Sequence, residues 1–362
     1  MADDAKQLHV LRGEIDAIDL ELLRLINARA ALAIEIATAK RDSGAEGMFY
    51  RPEREAVILR RILERSPGPM SSPEATRLLR EIMSACLALE HPLGAAYLGP
   101  EGTYTHLAAL KHFGGSIEAK PFSTIEEVMR EVETGNVDYG VVPVENSLEG
   151  GVNQTLDAMR ESALKICGEV VLGIHHQLLS RTTDITSIKR VYAHAQALAQ
   201  CRRWLAANLA AADCSAVSSN GEAARRVRDE PNAAAIASEV AAEIYELGTL
   251  RRNIEDDPGN TTRFFVLGKT APPPSGRDVT SLMFTTLNRP GALHDVLSVL
   301  AAANISMTRI ESRPLRQEAW DYLFFVDIEG HADVDSVGDA LVRLEDKTSL
   351  LKILGSYPRA VI

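Results

Sequence analysis

The 362-residue chain is short of cysteine, aromatic side chains, positive charge and long apolar runs. Its four cysteines, Cys86, Cys167, Cys201 and Cys214, are scattered and form no C-x-x-C pair. That excludes a disulfide scaffold, a cysteine-rich zinc site and a redox dithiol, and fits a reducing compartment. No apolar run approaches the ~18 residues of a membrane span. The opening MADDAKQLHV lacks a basic segment leading into an apolar one, so the sequence reads as cytoplasmic. Lys and Arg number 39 against 50 Asp and Glu, a formal charge of −11. Such a chain is poorly suited to nucleic acid or an anionic membrane surface, which leaves small molecules as the expected partners. No G-x-G occurs, so the dinucleotide fingerprint is missing. No histidine pair at i, i+4 marks a metal site. Neither cofactor nor metal is expected.

What is present is an ordinary folded composition, 46% hydrophobic and 25% charged, long enough for two or three domains at roughly 100–200 residues each. Residues 8–42 carry Leu8, Leu11, Ile15, Ile18, Leu22, Leu25, Leu32 and Ile36 at spacings of three and four. This predicts one amphipathic helix of about 52 Å. Two shorter helices follow, opening at Pro52 and at Ser72-Pro73, with Pro67, Gly68 and Pro69 between them. They are too short to cover the whole stripe, so the long helix is expected to pair with a second copy of itself. From Ala95 the texture changes to strands alternating with helices (AAYLG, SIEAKPF, YGVVPVE, VYAHA, a helix over 196–209, CSAVSS, AAIAS, TTRFFVLG), an α/β pattern able to form two lobes around a cleft. After the PPPSG linker, TSLMFTTL, ISMTRIES, YLFFVDIE and LLKILGS with two intervening helices read as βαββαβ, a small ferredoxin-like domain. The predicted division is 1–92, 95–270 and 277–362.

Arg29 and Lys40 lie eleven residues apart, within about 20° on the helix and roughly 16 Å along it. Both sit on the apolar stripe, where a cation is costly without an anion. Arg12 points about 100° away, so one helix cannot aim it at the same ligand, whereas a dimer mate can supply it. With YRPERE downstream, this stretch resembles the all-helical chorismate mutases over residues 8–90. The resemblance implies rearrangement of chorismate to prephenate without nucleophile or metal, by conformational clamping and charge stabilisation of the breaking ether bond. It implies that Arg29 and the Arg12 of a second copy hold the carboxylates. Lys40 reaches the ether oxygen, and Arg54 with Glu55 holds the hydroxyl side. Cys86 stands where that family often has serine, Glu90 where it often has a glutamine donor, and Arg51 where it has an acidic residue near the hydroxyl.

In the middle region GPEGTYT follows a strand and opens a helix, so its N–H groups and the Thr103 hydroxyl can cradle an anion. Glu145, Asn146 and Ser147 end another strand before Gly150-Gly151. His176 and His194 stand at strand ends, and Asn260-Thr261-Thr262-Arg263 opens the last strand. Together GPEGTYT, PVENSLEGGV, HAQALAQC and NTTRFF resemble prephenate dehydratases over residues 95–268. The resemblance implies loss of water and carbon dioxide from prephenate to give phenylpyruvate. Thr262 is then the proton donor or its relay, and Arg263 the clamp for the side-chain carboxylate. Thr103, Glu145, Asn146 and Ser147 become polar contacts, supported by His176 and His194.

The last domain resembles ACT regulatory modules, through Gly291, Ala292, Leu293 and His294 at the start of its first helix and Glu311, Ser312, Arg313 and Pro314 after its second strand. This implies phenylalanine as a feedback inhibitor at an interface between two such domains, its carboxylate at the helix N-terminus and its ammonium on an acidic residue. The three resemblances imply a homodimer with shared mutase sites. The competing reading is a sensor that binds an amino acid without chemistry, and it leaves Arg29 and Lys40 unexplained.

Overall fold

The computed structural model describes residues 2–42, 49–65, 68–286, 289–314 and 322–361; Pro67 lies outside them. The helical region is α1 (Ala2–Asp42), α2 (Pro52–Arg65) and α3 (Ser72–Glu90). Ser71 caps α3 by accepting the Glu74 N–H, and proline occupies its first turn, as its missing N–H permits. Among the described residues α1 packs on its neighbours through its C-terminal end, burying Ala33 and Ala37. Farther toward the N-terminus the stripe stays open, with Leu11 48%, Ile15 57%, Ile18 59%, Leu22 51% and Leu25 49% exposed.

The central region is two-lobed because the chain crosses between two sheets twice. Lobe one comprises β1 (Gly94–Leu98), α4 (Tyr104–Phe113), β2 (Glu118–Phe122), α5 (Ile125–Thr134), β3 (Tyr139–Asn146), β4 (Gly150–Gly151), α6 (Asn153–Glu161) and β5 (Lys165–Gly173). Lobe two comprises β6 (Gln177–Ser180), β7 (Arg190–His194), α7 (Ala195–Gln200), α8 (Arg202–Asn208), β8 (Asp213–Val217), α9 (Asn220–Asp229), β9 (Ala233–Ala237), α10 (Glu239–Ile244) and β10 (Gly248–Arg251). The chain then returns to lobe one as β11 (Thr261–Gly268), giving orders β2-β1-β3-β11-β5 and β10-β6-β9-β7-β8. The outgoing and returning crossovers run side by side, bonded through Ile174 N–H to Asn260 O (2.8 Å) and Ile254 N–H to His176 O (2.9 Å).

One helix is expected over 196–209, but the structure has two. The Asp256 carboxylate accepts the N–H groups of Arg203 and Trp204 and starts a new helix after Cys201. Gln200 thereby ends α7 beside the crossovers.

The C-terminal region is the expected βαββαβ: β12 (Asp278–Thr286), α11 (Ala292–Ala302), β13 (Met307–Pro314), β14 (Tyr322–Glu329), α12 (Asp335–Glu345) and β15 (Thr348–Pro358), in the order β13-β14-β12-β15. One face of this sheet carries its own helices around Leu282, Phe284, Val296 and Leu341. The other is part of lobe one's core, where Val279, Met283, Phe325 and Tyr357 join Val142, Phe265 and Leu267. The two units are joined by a common apolar interior and not by the linker alone.

Candidate active sites

Between the C-terminal end of α1 and helices α2 and α3 lies a cavity of about 370 Å³. Arg29 and Lys40 from α1, Arg51, Arg54 and Glu55 around the start of α2, and Cys86 and Glu90 from α3 all line it, with Leu32, Ala33 and Ile36 between the cations. Of the residues predicted for this site only Arg12 is elsewhere. It is exposed on the uncovered part of α1, about 25 Å along the helix from Arg29. Lys40 Nζ stands 3.5 Å from Glu90 Oε2 and 3.3 Å from the Phe49 carbonyl. The Arg51 Nε instead donates to the buried Glu53, at 2.6 Å.

Arg80, which sequence reasoning missed, lies with Thr76 and Ser84 on one buried polar stripe of α3, and that four-residue spacing was its legible signal. Its Nε is 3.4 Å from Glu55 Oε1, while Nη1 donates to the Lys111 carbonyl at 3.0 Å. Burial pushes the Glu55 carboxyl up to about 7, against the opposing pull of Arg80. Between the ordinary value of 4.5 and about 7 the folded protein therefore binds a proton that the unfolded chain does not. The resulting stability is present at acid pH and is lost as pH rises through 7, by about 1–3 kcal/mol. Glu55→Gln, neutral at every pH, should flatten that decline in thermal unfolding; an unchanged slope would assign it to another group.

At the other end of lobe one, a β-bulge opposite Arg263 puts Val144 and Glu145 on one side of β3 and turns Asn146 to the side of Thr262. The Asn146 amide donates to Thr262 Oγ1 at 2.8 Å and to Asn260 Oδ1 at 2.9 Å. Its own oxygen accepts the N–H groups of Leu148 and Glu149, which fixes its orientation. Asn260 donates to Gln200 Oε1 at 3.1 Å, and His176 Nε2 donates to the same oxygen at 2.8 Å. Burial lowers the His176 pKa and keeps the ring neutral; its Nδ1 lies 3.0 Å from the Tyr104 hydroxyl, which donates to the His175 carbonyl at 2.8 Å. Thr262 Oγ1 accepts, and among the described residues no protein group takes its proton, which is left to point at a ligand.

Ser147 belongs to the same cluster, its Oγ accepting the Thr261 N–H at 2.9 Å. His176 is 2% exposed and supports the network from within. Its neighbour His175 is the outward member of the pair, held at 2.8 Å by Glu255, which also accepts the His176 N–H. Strand-end alternation was the signal for this. His194 is exposed at the end of β7 and caps α7 through Nδ1. Tyr104, Gln200, Glu255 and Asn260 were not singled out as site residues, because only the double crossover brings them together.

Three expectations need correction. Thr103 is not a free polar contact: it caps α4 while its hydroxyl donates to the Leu98 carbonyl at 3.1 Å. Arg263 is not a clamp beside Thr262, because neighbouring strand residues face opposite ways. Its guanidinium reaches Asp327 at 2.5 Å, Glu169 at 2.7 Å and the Tyr357 hydroxyl at 3.0 Å, across the seam with the C-terminal sheet. Burial opposes the charge there, but Tyr357, Asp327 and Glu169 outweigh it and hold the guanidinium charged. Glu145 shares that face and pairs with Arg309 at 2.9 Å.

The C-terminal site also divides by strand alternation. Gly291, in the left-handed region at φ 82°, precedes α11, which Ala292, Leu293 and the exposed His294 begin. On β13, Ser312 and Pro314 are exposed, whereas Glu311 and Arg313 turn toward lobe one. Glu311 pairs with Arg309 and lies against Gly151, and Arg313 reaches Asp157 at 2.8 Å. Within one chain the Glu311 carboxylate is therefore a docking group, not a partner for a ligand at α11.

These geometries agree with sequence comparison. A chorismate mutase type II model matches residues 11–91, a prephenate dehydratase model residues 95–272 and an ACT domain model residues 280–346. A bifunctional chorismate mutase/prephenate dehydratase of Pseudomonas aeruginosa is 50% identical over 363 residues, covering 99% of this chain and 100% of that one. The chain belongs to the bifunctional chorismate mutase/prephenate dehydratases. Among solved structures, a prephenate dehydratase from Arthrobacter aurescens in complex with L-Phe has 34% identity and a TM-score of 0.68, covering 74% of this chain and 90% of that one. A protein described as a novel type of quorum quenching acylase, GqqA, has 32% identity and the same TM-score of 0.68, covering 74% and 98%. The enzyme is both an isomerase and a lyase, taking chorismate to prephenate and prephenate to phenylpyruvate.

Proposed function

We propose that chorismate rearranges in the α1–α2–α3 cavity, and that prephenate loses water and carbon dioxide at the Asn146–Thr262 end of β11. The domains are 1–92, 95–270 and 277–362, and the substrates are metabolites handled in the cytoplasm. The observation that carries the mutase assignment is the convergence of Arg29, Lys40 and Arg54 on one cavity lined with aliphatic side chains. A dianion meets this charge set with little reorganisation. Arg29 and the partner subunit's Arg12 hold the two carboxylates in the compact conformer. Lys40 donates to the ether oxygen, joined by Glu90 when that carboxyl carries a proton. Arg54 and Glu55 hold the hydroxyl side. Arg51 aims Glu53 in place of touching ligand, and Cys86 contributes packing.

The open stripe from Leu11 to Leu25 supports a second copy as the source of Arg12. Arg12→Ala and Lys40→Ala proteins, each inactive as a mutase, should regain about a quarter of wild-type activity when unfolded together and refolded. Each mixed dimer then restores one of its two sites, and random pairing makes half the dimers mixed. No recovery would contradict shared sites.

At the dehydratase site Thr262 passes its hydroxyl proton to the departing ring hydroxyl, which leaves as water, and regains one from solvent, while the electrons of the breaking bond to the ring carboxylate enter the ring and complete its aromaticity. Asn146, Asn260, Gln200 and His176 hold that hydroxyl in place, and Arg263 supports β11 from behind. Phenylalanine binds at Gly291–His294 of α11, on the face that Ser312 shares, between this domain and that of a second copy. The L-Phe complex of the Arthrobacter protein supports the ligand. The docking of Arg309 and Glu311 against Glu145 and Gly151 supports a route from β13 to the loop after Asn146. Gly291→Ala, strained by about 1–2 kcal/mol at that φ, should raise the phenylalanine concentration needed for half inhibition about tenfold. Unchanged inhibition would move the effector site elsewhere.

A further inference from the structure

We infer that the dehydratase domain supplies part of the mutase site: Phe113, the last residue of α4, and Tyr50, held against α4, form an aromatic wall that positions chorismate. Both line the cavity that holds Arg29, Lys40, Arg54 and Glu90. Their ring centroids are 5.3 Å apart, and Tyr139 of β3 packs on both, at 5.5 Å from Tyr50 and 5.4 Å from Phe113. Tyr50 is fixed by a hydrogen bond between its hydroxyl and His112 Nε2 at 3.1 Å. Burial pushes His112 down to about 3, so the ring is neutral.

The seam around this wall is built, not incidental. Glu81 of α3 accepts the Gly115 N–H at 2.8 Å, Ser84 accepts the Ser116 N–H at 3.3 Å, and Arg80 donates to the Lys111 carbonyl at 3.0 Å. A Cβ added to Gly114 would fall 2.4 Å from the Ser84 Cβ, so the turn after α4 fits α3 only as glycine. The ten residues of α4 span about 15 Å. One end places Tyr104 beside His176 in the dehydratase network, and the other places Phe113 in the mutase cavity.

The chemistry asks for such a surface. Chorismate has an apolar diene ring and an enolpyruvyl arm that must fold over it, while its charges sit at the carboxylates and the ether. The cations answer the charges; a rigid aromatic wall presses ring and arm together and excludes water. Phe113 and Tyr50 are thus positioning residues for the rearrangement, and this rests on the cavity being the mutase site.

The test uses the full-length enzyme, with chorismate consumption and dehydration of added prephenate measured separately in Phe113→Ala, Phe113→Leu and Lys40→Ala. For Phe113→Ala the expected result is a chorismate KM about tenfold higher with a smaller loss in kcat, while prephenate is dehydrated within about twofold of wild type. Phe113→Leu, which keeps apolar bulk but loses the ring, should fall between, with a chorismate KM about three- to fivefold higher than wild type. Unchanged mutase KM in Phe113→Ala, with Lys40→Ala inactive as a mutase, would overturn the inference and leave the site assignment standing. Full mutase activity in Lys40→Ala would instead remove the assignment on which it rests. Should Phe113→Ala lose both activities through misfolding, Phe113→Leu decides. With wild-type thermal unfolding, a KM at least threefold higher supports the wall, and a wild-type KM overturns it.

Discussion

Thr262→Ala should lower prephenate dehydration by about three orders of magnitude, the scale of losing a positioned proton donor, and leave chorismate rearrangement intact. The cause is local. Asn146 donates to Thr262 Oγ1 at 2.8 Å, so the hydroxyl's own proton is the one free to move to the leaving group. Alanine removes that proton and leaves Asn146 still bonded to Asn260, so the strand end keeps its place. Thr262→Ser retains the hydroxyl and should retain much of the rate. Fed chorismate, the alanine variant should accumulate prephenate. Dehydration within a few-fold of wild type would remove Thr262 from the mechanism.

Lys40→Ala should produce the converse enzyme, with mutase activity down by at least about two orders of magnitude, as for one lost charge-stabilising donor, and added prephenate still dehydrated. The Lys40 side chain is 22% exposed and its ammonium stands 3.5 Å from Glu90, so its field acts in a partly dry cavity where water replaces it poorly. The two variants are separable because the two proposed sites lie at opposite ends of lobe one. Gly268, the last residue of β11, lies near the mutase seam, and Thr262 is six residues along the strand, about 20 Å away. Loss of both activities in Lys40→Ala would show instead that the packing of α1 on α3 had failed.

Much of this was readable in the sequence because the relevant signals are local. The stripe of α1 carries its cations at helical spacing, so Arg29 and Lys40 declared a site before Glu90 could be seen facing it. The βαββαβ order of the last domain followed from strand and helix periods alone. What was misread depends on the third dimension. Arg263 adjoins Thr262 in sequence but faces Asp327 and Glu169 across a sheet that the C-terminal domain covers. Glu145 joined it there because the bulge at Val144 reverses the alternation. Glu311 reads as a ligand group, yet its side of β13 is the one that docks on Gly151. Tyr104, Gln200 and Asn260 converge only because the chain crosses between lobes twice, and Phe113 belongs to a different domain from the cavity it lines. The shared core of Val279, Phe325 and Tyr357 with lobe one also means that cutting the chain at residue 272 would bare apolar surface and leave Glu169 and Arg263 without Asp327. Point variants at Gly291 therefore test regulation better than truncation does.

One chain is proposed to carry two consecutive chemistries at two separate sites. Purified enzyme given chorismate alone, with chorismate, prephenate and phenylpyruvate followed together, tests it most directly. Chorismate should fall, prephenate should rise and then fall, and phenylpyruvate should finally match the chorismate consumed. In the same assay Thr262→Ala stops at prephenate and Lys40→Ala stops at chorismate. Chorismate that stays unconsumed by the wild-type enzyme, or phenylpyruvate formed at the wild-type rate by both variants, would contradict it.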